Sequence, residues 1–156
     1  MLQKNAERLF LEAGVAKLQP LLAAHGFEYE SGEQSVSSGG PFATGFFRRE
    51  KLEIGLVVRD RNSLGCPNYS EGHGYVGHAN LFWELGRAGE MKLVPDDFLS
   101  YKSKDGGDSF DALLADFEEV ILPALKESQA YFSSALARAH KKFQDKLRGK
   151  ANRDAG

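Results

Sequence analysis

With one cysteine in 156 residues, the chain has no internal disulfide. That excludes the small disulfide-stapled scaffolds and fits a reducing compartment. No apolar run approaches the ~20 residues that a bilayer span requires, so no membrane partner is expected. The opening stretch "MLQKNAERLFLEAGVAKLQPLL" breaks its apolar positions with acids and bases. It lacks a continuous signal-peptide core, and secretion by that route is not expected. Also missing are the Gly-rich phosphate loop ending in Lys-Ser/Thr, His-Glu-x-x-His and Gly-x-Ser-x-Gly. What remains is expected to be a soluble cytoplasmic domain, and its residues imply no cofactor.

The charge is nearly balanced but unevenly placed. Residues 138–156 hold seven basic side chains (Arg138, Lys141, Lys142, Lys146, Arg148, Lys150, Arg153) against Asp145 and Asp154, a net of +5. The other 137 residues hold 13 basic and 20 acidic side chains, a net of −7. A basic tail can bind nucleic acid or an acidic partner. It can also complement the negative end of a helix dipole. Phe143 and Leu147 interrupt the charges, which favours an ordinary solvated helix.

Apolar periodicity predicts a first helix over residues 5–25, where Leu11, Val15, Leu18 and Leu22 form one 3.6-residue stripe. Gly26 is placed to end it, and Pro20 is expected to kink or divide it. Phe27 and Tyr29 alternate with acids as in a strand, whereas residues 31–41, full of Ser and Gly, read as a turn or loop. In "KLEIGLVVRD" strict alternation marks a strand, and residues 42–49 before it supply the other arm of an antiparallel hairpin. Residues 61–74 show no period, a long gap for a compact domain. Tyr75 and Val76 return to the sheet, residues 80–86 form a short helix, and residues 91–95 a last strand. A long helical signal then starts at an Asp108 or Ser109 cap. Its stripe runs through Phe110, Leu113, Leu114, Phe117, Ile121 and Leu125, bends at Pro123, and continues as Phe132, Leu136, Ala139, Phe143 and Leu147. Strands grouped together and followed by helices predict α+β: an N-terminal helix, an antiparallel sheet of three to four strands, a short helix, then a long Pro-kinked helix or helix pair. Residues 1–131 form one domain, and residues 132–156 its basic helical extension.

The stretch "CPNYSEGHGYVGHANLFWEL" concentrates the chemistry: the only cysteine, two of four histidines and the only tryptophan. Cys66, His73 and His78 are sound transition-metal ligand types, and Glu71 is a fourth. Structural zinc sites, however, bring close pairs such as Cys-x2-Cys from one turn. Here the intervals are seven and five positions along a segment that no rigid element enforces. His78 at the start of a helix equally suits a hydrogen-bonding role. Cys66 precedes a proline and gains no helix-dipole activation as a nucleophile, though a histidine could fold back to it. Asp105 and Asp108 around two glycines read as a turn and helix cap rather than a calcium loop.

Aromatic residues offer a different reading. Tyr69, Tyr75 and Trp83 cluster around this segment, and on a short helix Trp83 lies well round the axis from Leu81 and Leu85. Exposed, they suit a protein-binding patch; buried, they close the core. Phe46, Phe47, Arg48 and Arg49 place aromatics beside bases as in sheet-surface RNA binders, but the acidic body opposes phosphates, so no nucleic-acid partner is expected.

"LLAAHGF", the hairpin around "FFRREKLEIGLVV", "GHANLFWELG" and "SFDALLADFEEVILPAL" together resemble small uncharacterised bacterial α+β domains, some of them similar to immunity proteins of toxin systems. That resemblance implies binding of a protein partner rather than catalysis. The leading expectation is therefore a non-enzymatic protein-binding module using Tyr69, Tyr75 and Trp83. The alternatives are a metal-binding protein or hydrolase using Cys66, His73 and His78, and a self-associating protein that dimerises through its C-terminal helix.

Overall fold

Helix α1 (Ala6–Ala24) forms where the Leu11, Val15, Leu18 and Leu22 stripe predicts it, and all four side chains are buried. Asn5 caps it by accepting the Arg8 amide at 2.8 Å. Gly26, at a φ of +85°, lets the chain turn off after His25. The expected division at Pro20 does not occur; α1 runs through it. An internal proline costs about 3 kcal/mol. Each buried leucine on either side contributes about 1.5–3 kcal/mol, which is enough to hold the helix together. The computed structural model describes residues 3–72, 74–97 and 99–155.

α1 lies on one face of an antiparallel sheet whose order is β1-β2-β3-β5-β6, with β4 also paired to β3. Strands β1 (Glu28–Ser37), β2 (Gly40–Arg49) and β3 (Leu52–Arg59) make a meander, and β4 (Ser63–Leu64), β5 (Asn68–Ser70) and β6 (Val76–Gly77) are short additions. Register puts Phe47 opposite Ile54, Ile54 opposite Tyr69 and Tyr69 opposite Val76. These four side chains share the inner face and are buried. Phe46, Val57 and Tyr75 remain partly or largely exposed.

Two expectations are corrected here. Residues 31–37 are not a loop but the outer half of β1, which shifts register between Ser31 and Gln34. Buried Arg8 supports that irregularity from below, donating to the carbonyls of Gly32 and Glu33 at 2.9 Å and of Thr44 at 2.7 Å. Nor is the segment 61–74 without structure, since it contains β4 and β5. The sheet accordingly has six strands rather than three or four.

Helix α2 (His78–Glu84) follows β6 directly, and β7 (Leu93–Pro95) pairs with β8 (Tyr101–Ser103) as a separate two-stranded ribbon. Helix α3 (Ser109–Asp116), capped by the Asp108 carboxylate, passes through a π-helical turn at Phe117–Ile121 into α4 (Leu122–Glu127). The widened turn lies just before Pro123, where an α-helical bond to Glu119 is missing. The true break comes later, at extended Ser128, whose hydroxyl accepts the Tyr131 amide at 3.1 Å. Helix α5 (Gln129–Ala155) is a separate helix. Its first part buries Phe132, Ala135, Leu136 and Ala139 near α2, α4 and β6. Among the described residues no helix is long and apolar enough to cross a membrane. The fold is α+β.

α1 and α3 touch at one tight point. A Cβ at Gly14 would overlap the Phe110 ring. Alanine in place of a helical glycine ordinarily gains up to about 1 kcal/mol. Gly14→Ala is nevertheless expected to lose about 1–3 kcal/mol through overpacking, seen as a lower midpoint in urea. A raised midpoint would show that the α1–α3 contact yields freely.

Candidate functional site

Three buried polar side chains meet beneath α2. Tyr69 enters from the inner face of β5, His78 is the first residue of α2, and Asp116 is the last of α3. The Tyr69 hydroxyl lies 2.7 Å from His78 Nδ1, and His78 Nε2 lies 2.8 Å from Asp116 Oδ2. The carboxylate also accepts the Lys92 amide at Oδ1 (2.8 Å) and the Leu93 amide at Oδ2 (3.0 Å). With Asp116 an acceptor on every side, His78 donates through Nε2, and Nδ1 accepts from the phenol. The imidazole is thus neutral and in one tautomer.

Burial sets the proton positions. It holds the His78 pKa below its ordinary range, although the Asp116 carboxylate pulls the other way. Burial, assisted by that same carboxylate, raises the Tyr69 phenol far above its usual range. Phe82 packs on the imidazole at 4.7 Å between ring centroids, and Tyr101 stands edge-on at 6.2 Å. The Tyr101 phenol is also pushed up, chiefly by burial and then by neighbouring Cys66.

A hydroxyl, an imidazole and a carboxylate in line have the connectivity of a nucleophile relay. Here each of the three side chains has 0% of its surface exposed. A reacting atom has no approach to the Tyr69 oxygen. The trio ties α2, β5, α3 and the start of β7 together through hydrogen bonds.

Cys66 is half-buried, its Sγ 3.4 Å from the Pro67 carbonyl oxygen. His73 lies outside the described residues. Both His78 nitrogens are engaged, which leaves no ring lone pair for a metal in this arrangement. Among the described residues no group of three His, Cys, Asp or Glu side chains is placed to hold a metal ion.

The three aromatics expected to form a binding patch separate. Tyr69 is a correction: it fills the core opposite Ile54, because strand pairing fixes its side chain inward, and it offers a partner no surface. Tyr75 is 56% exposed, and its hydroxyl donates to Glu53 Oε1 at 3.1 Å over the outer sheet face. Trp83 is 69% exposed on the outer side of α2, while Leu81 and Phe82 of that helix are buried. Trp83 lines a cleft with Asn80, Ala139, Phe143 and Lys146, whereas Tyr75 lines a shallow hollow with Phe46 and Val57. They belong to two surfaces.

Sequence reasoning passed over Asp116 and Glu84. Asp116 borders the apolar stripe of α3, and an acid beside such a stripe is the available signal. Glu84 is nearly covered, paired with Lys142 and with Arg138 (3.1 Å), and these two cations, Lys142 foremost, hold its carboxyl below the usual range. Comparison with protein-family models, with curated proteins and with solved structures finds no match to this chain.

Proposed function

We propose that this chain is a non-enzymatic cytoplasmic module that binds another protein, in the manner of the immunity-like domains its sequence resembles. The observation that supports this reading best is Trp83. A large aromatic side chain on a short helix with an otherwise buried apolar face is held outward at 69% exposure. Exposed tryptophan and tyrosine are the side chains most often found at the energetic centre of protein interfaces. Reading the molecule as a hydrolase is less well supported, since its one relay-like trio is enclosed.

The test is capture by the immobilised protein, comparing the native chain with a Trp83→Ala/Tyr75→Ala variant. A stoichiometric protein partner is expected, with affinity reduced at least about tenfold in the variant, the scale of a hot-spot loss. Both side chains are exposed, so the thermal midpoint should stay unchanged. A partner held equally by both proteins would remove both surfaces from consideration, and a stoichiometric metal with substrate turnover would displace the reading altogether.

A further inference from the structure

Helix α5 is too long for the body that it packs on. Its 27 residues extend about 40 Å at 1.5 Å per residue. The buried positions end at Ala139, and residues 141–150 are all exposed. The apolar stripe does not end there. Phe143 and Leu147 continue it at spacings of four, each 51% exposed, so the projecting half keeps the direction of its packed half. Where α5 leaves α2, a corner cleft of about 180 Å³ is lined by Trp83, Phe143, Ala139, Lys142 and Lys146. The Glu84 pairs with Arg138 and Lys142 fix α5 to α2 at the corner.

Charge decides what can lie there. Between residues 141 and 150 five basic side chains face one acid, Asp145. Lys146 and Lys150 follow Phe143 and Leu147 by three residues and so flank the apolar stripe on the same side. Lys142 is already paired with Glu84, which it shares with Arg138; Lys146 and Lys150 make no ion pair among the described residues. A second copy pairing through the same helix would bring lysine against lysine. A nucleic acid would bring its phosphates against a body of net −7. Apolar side chains at a spacing of four, with flanking cations, complement a helix carrying apolar knobs between carboxylates.

We propose that the corner between α2 and the projecting half of α5, with Trp83, Phe143 and Leu147 as its floor and Lys146 and Lys150 as its rim, docks an acidic amphipathic helix of a partner protein. This rests on the protein-binding reading above and names the chemistry of the partner.

Trp83 is the only tryptophan, so its emission reports directly on the corner. The probe is a synthetic Leu/Glu amphipathic peptide of about 20 residues, long enough to hold a helix when docked. Its controls are the same peptide with Lys for Glu and a single-stranded DNA oligomer. The Leu/Glu peptide is expected to shift Trp83 emission to the blue saturably, and to bind less tightly as salt is raised. Phe143→Gln/Leu147→Gln, at two exposed positions, is expected to raise its Kd at least about tenfold with no change in the melting of the fold. Unchanged affinity in that variant, tighter binding of the Lys peptide or of DNA, or a blue shift with protein concentration alone accompanied by a dimer mass would each overturn the inference. No response to the Leu/Glu peptide, with capture still dependent on Trp83, overturns the acidic-helix inference alone. Loss of both overturns the protein-binding reading with it.

Discussion

Asp116→Ala is expected to destabilise the fold by about 3–5 kcal/mol, a large part of the 5–15 kcal/mol typical of a native domain. The carboxylate accepts three hydrogen bonds inside the protein, from His78 Nε2 and from the amides of Lys92 and Leu93. Removing it leaves these donors without their acceptor, and a buried unmatched donor costs about 1–3 kcal/mol. The loss is not the simple sum, because the Lys92 amide is only partly buried and water can reach it. Asp116→Asn separates charge from shape. An amide presents one oxygen where the site needs two acceptors, so its NH2 group must face a donor, and less than half of the loss should be recovered. Urea unfolding of the three proteins gives the comparison. A loss below about 1 kcal/mol for the alanine variant would mean that the trio does not hold α3 to β7.

Legibility in the sequence tracked the length of each periodic segment. The α1 stripe and the β2–β3 alternation each bury one face over many residues, so their patterns are visible without knowing what packs on them. β5 is three residues long and belongs to the sheet because Tyr69 fills a position against Ile54 and Val76. No local pattern encodes that. The outer half of β1 is similar: its side chains are mostly exposed Ser, Glu and Gln, and what keeps it extended is pairing with β2 and the reach of Arg8 from another element. The prolines act within the same balance. At Pro20 burial on both sides offsets a real backbone cost and the helix does not divide, and near Pro123 the irregularity takes the form of a π turn.

The candidate site divides along the same line. On a short helix the angular position of Trp83, well round the axis from Leu81 and Leu85, follows from its number, but whether that side is covered depends on what packs against α2. Tyr69 and Tyr75 could not be told apart until strand register was known. Tyr69 pairs inward with Val76, so Tyr75, one residue before Val76, falls on the opposite side. Asp116 is some forty residues from His78, and only the return of α3 beneath α2 brings them within 2.8 Å.

Acidification is expected to weaken the fold through His78, and the direction follows from which state binds the proton. Unfolded, the imidazole titrates near its ordinary value of about 6.5. Folded, it stays neutral to lower pH, because burial outweighs the nearby carboxylate. Protonation also places a donor at Nδ1, where the Tyr69 hydroxyl already donates, so the two hydrogens would oppose each other unless the hydroxyl turned away. Below about pH 6.5 the unfolded chain therefore binds more protons than the folded one. The stabilisation is complete above that pH and drains away as pH falls towards the folded pKa, by up to about 1.4 kcal/mol per pH unit. His78→Gln keeps one donor and one acceptor but does not titrate. It should be the less stable protein at pH 7, with a urea midpoint that changes less between pH 7 and 5, so that the two curves converge on acidification. The other three histidines, His25, His73 and His140, are common to both proteins. Parallel curves would mean that the imidazole takes up its proton as readily inside the fold as outside it, which an enclosure shared with Tyr69, Phe82 and Asp116 does not allow.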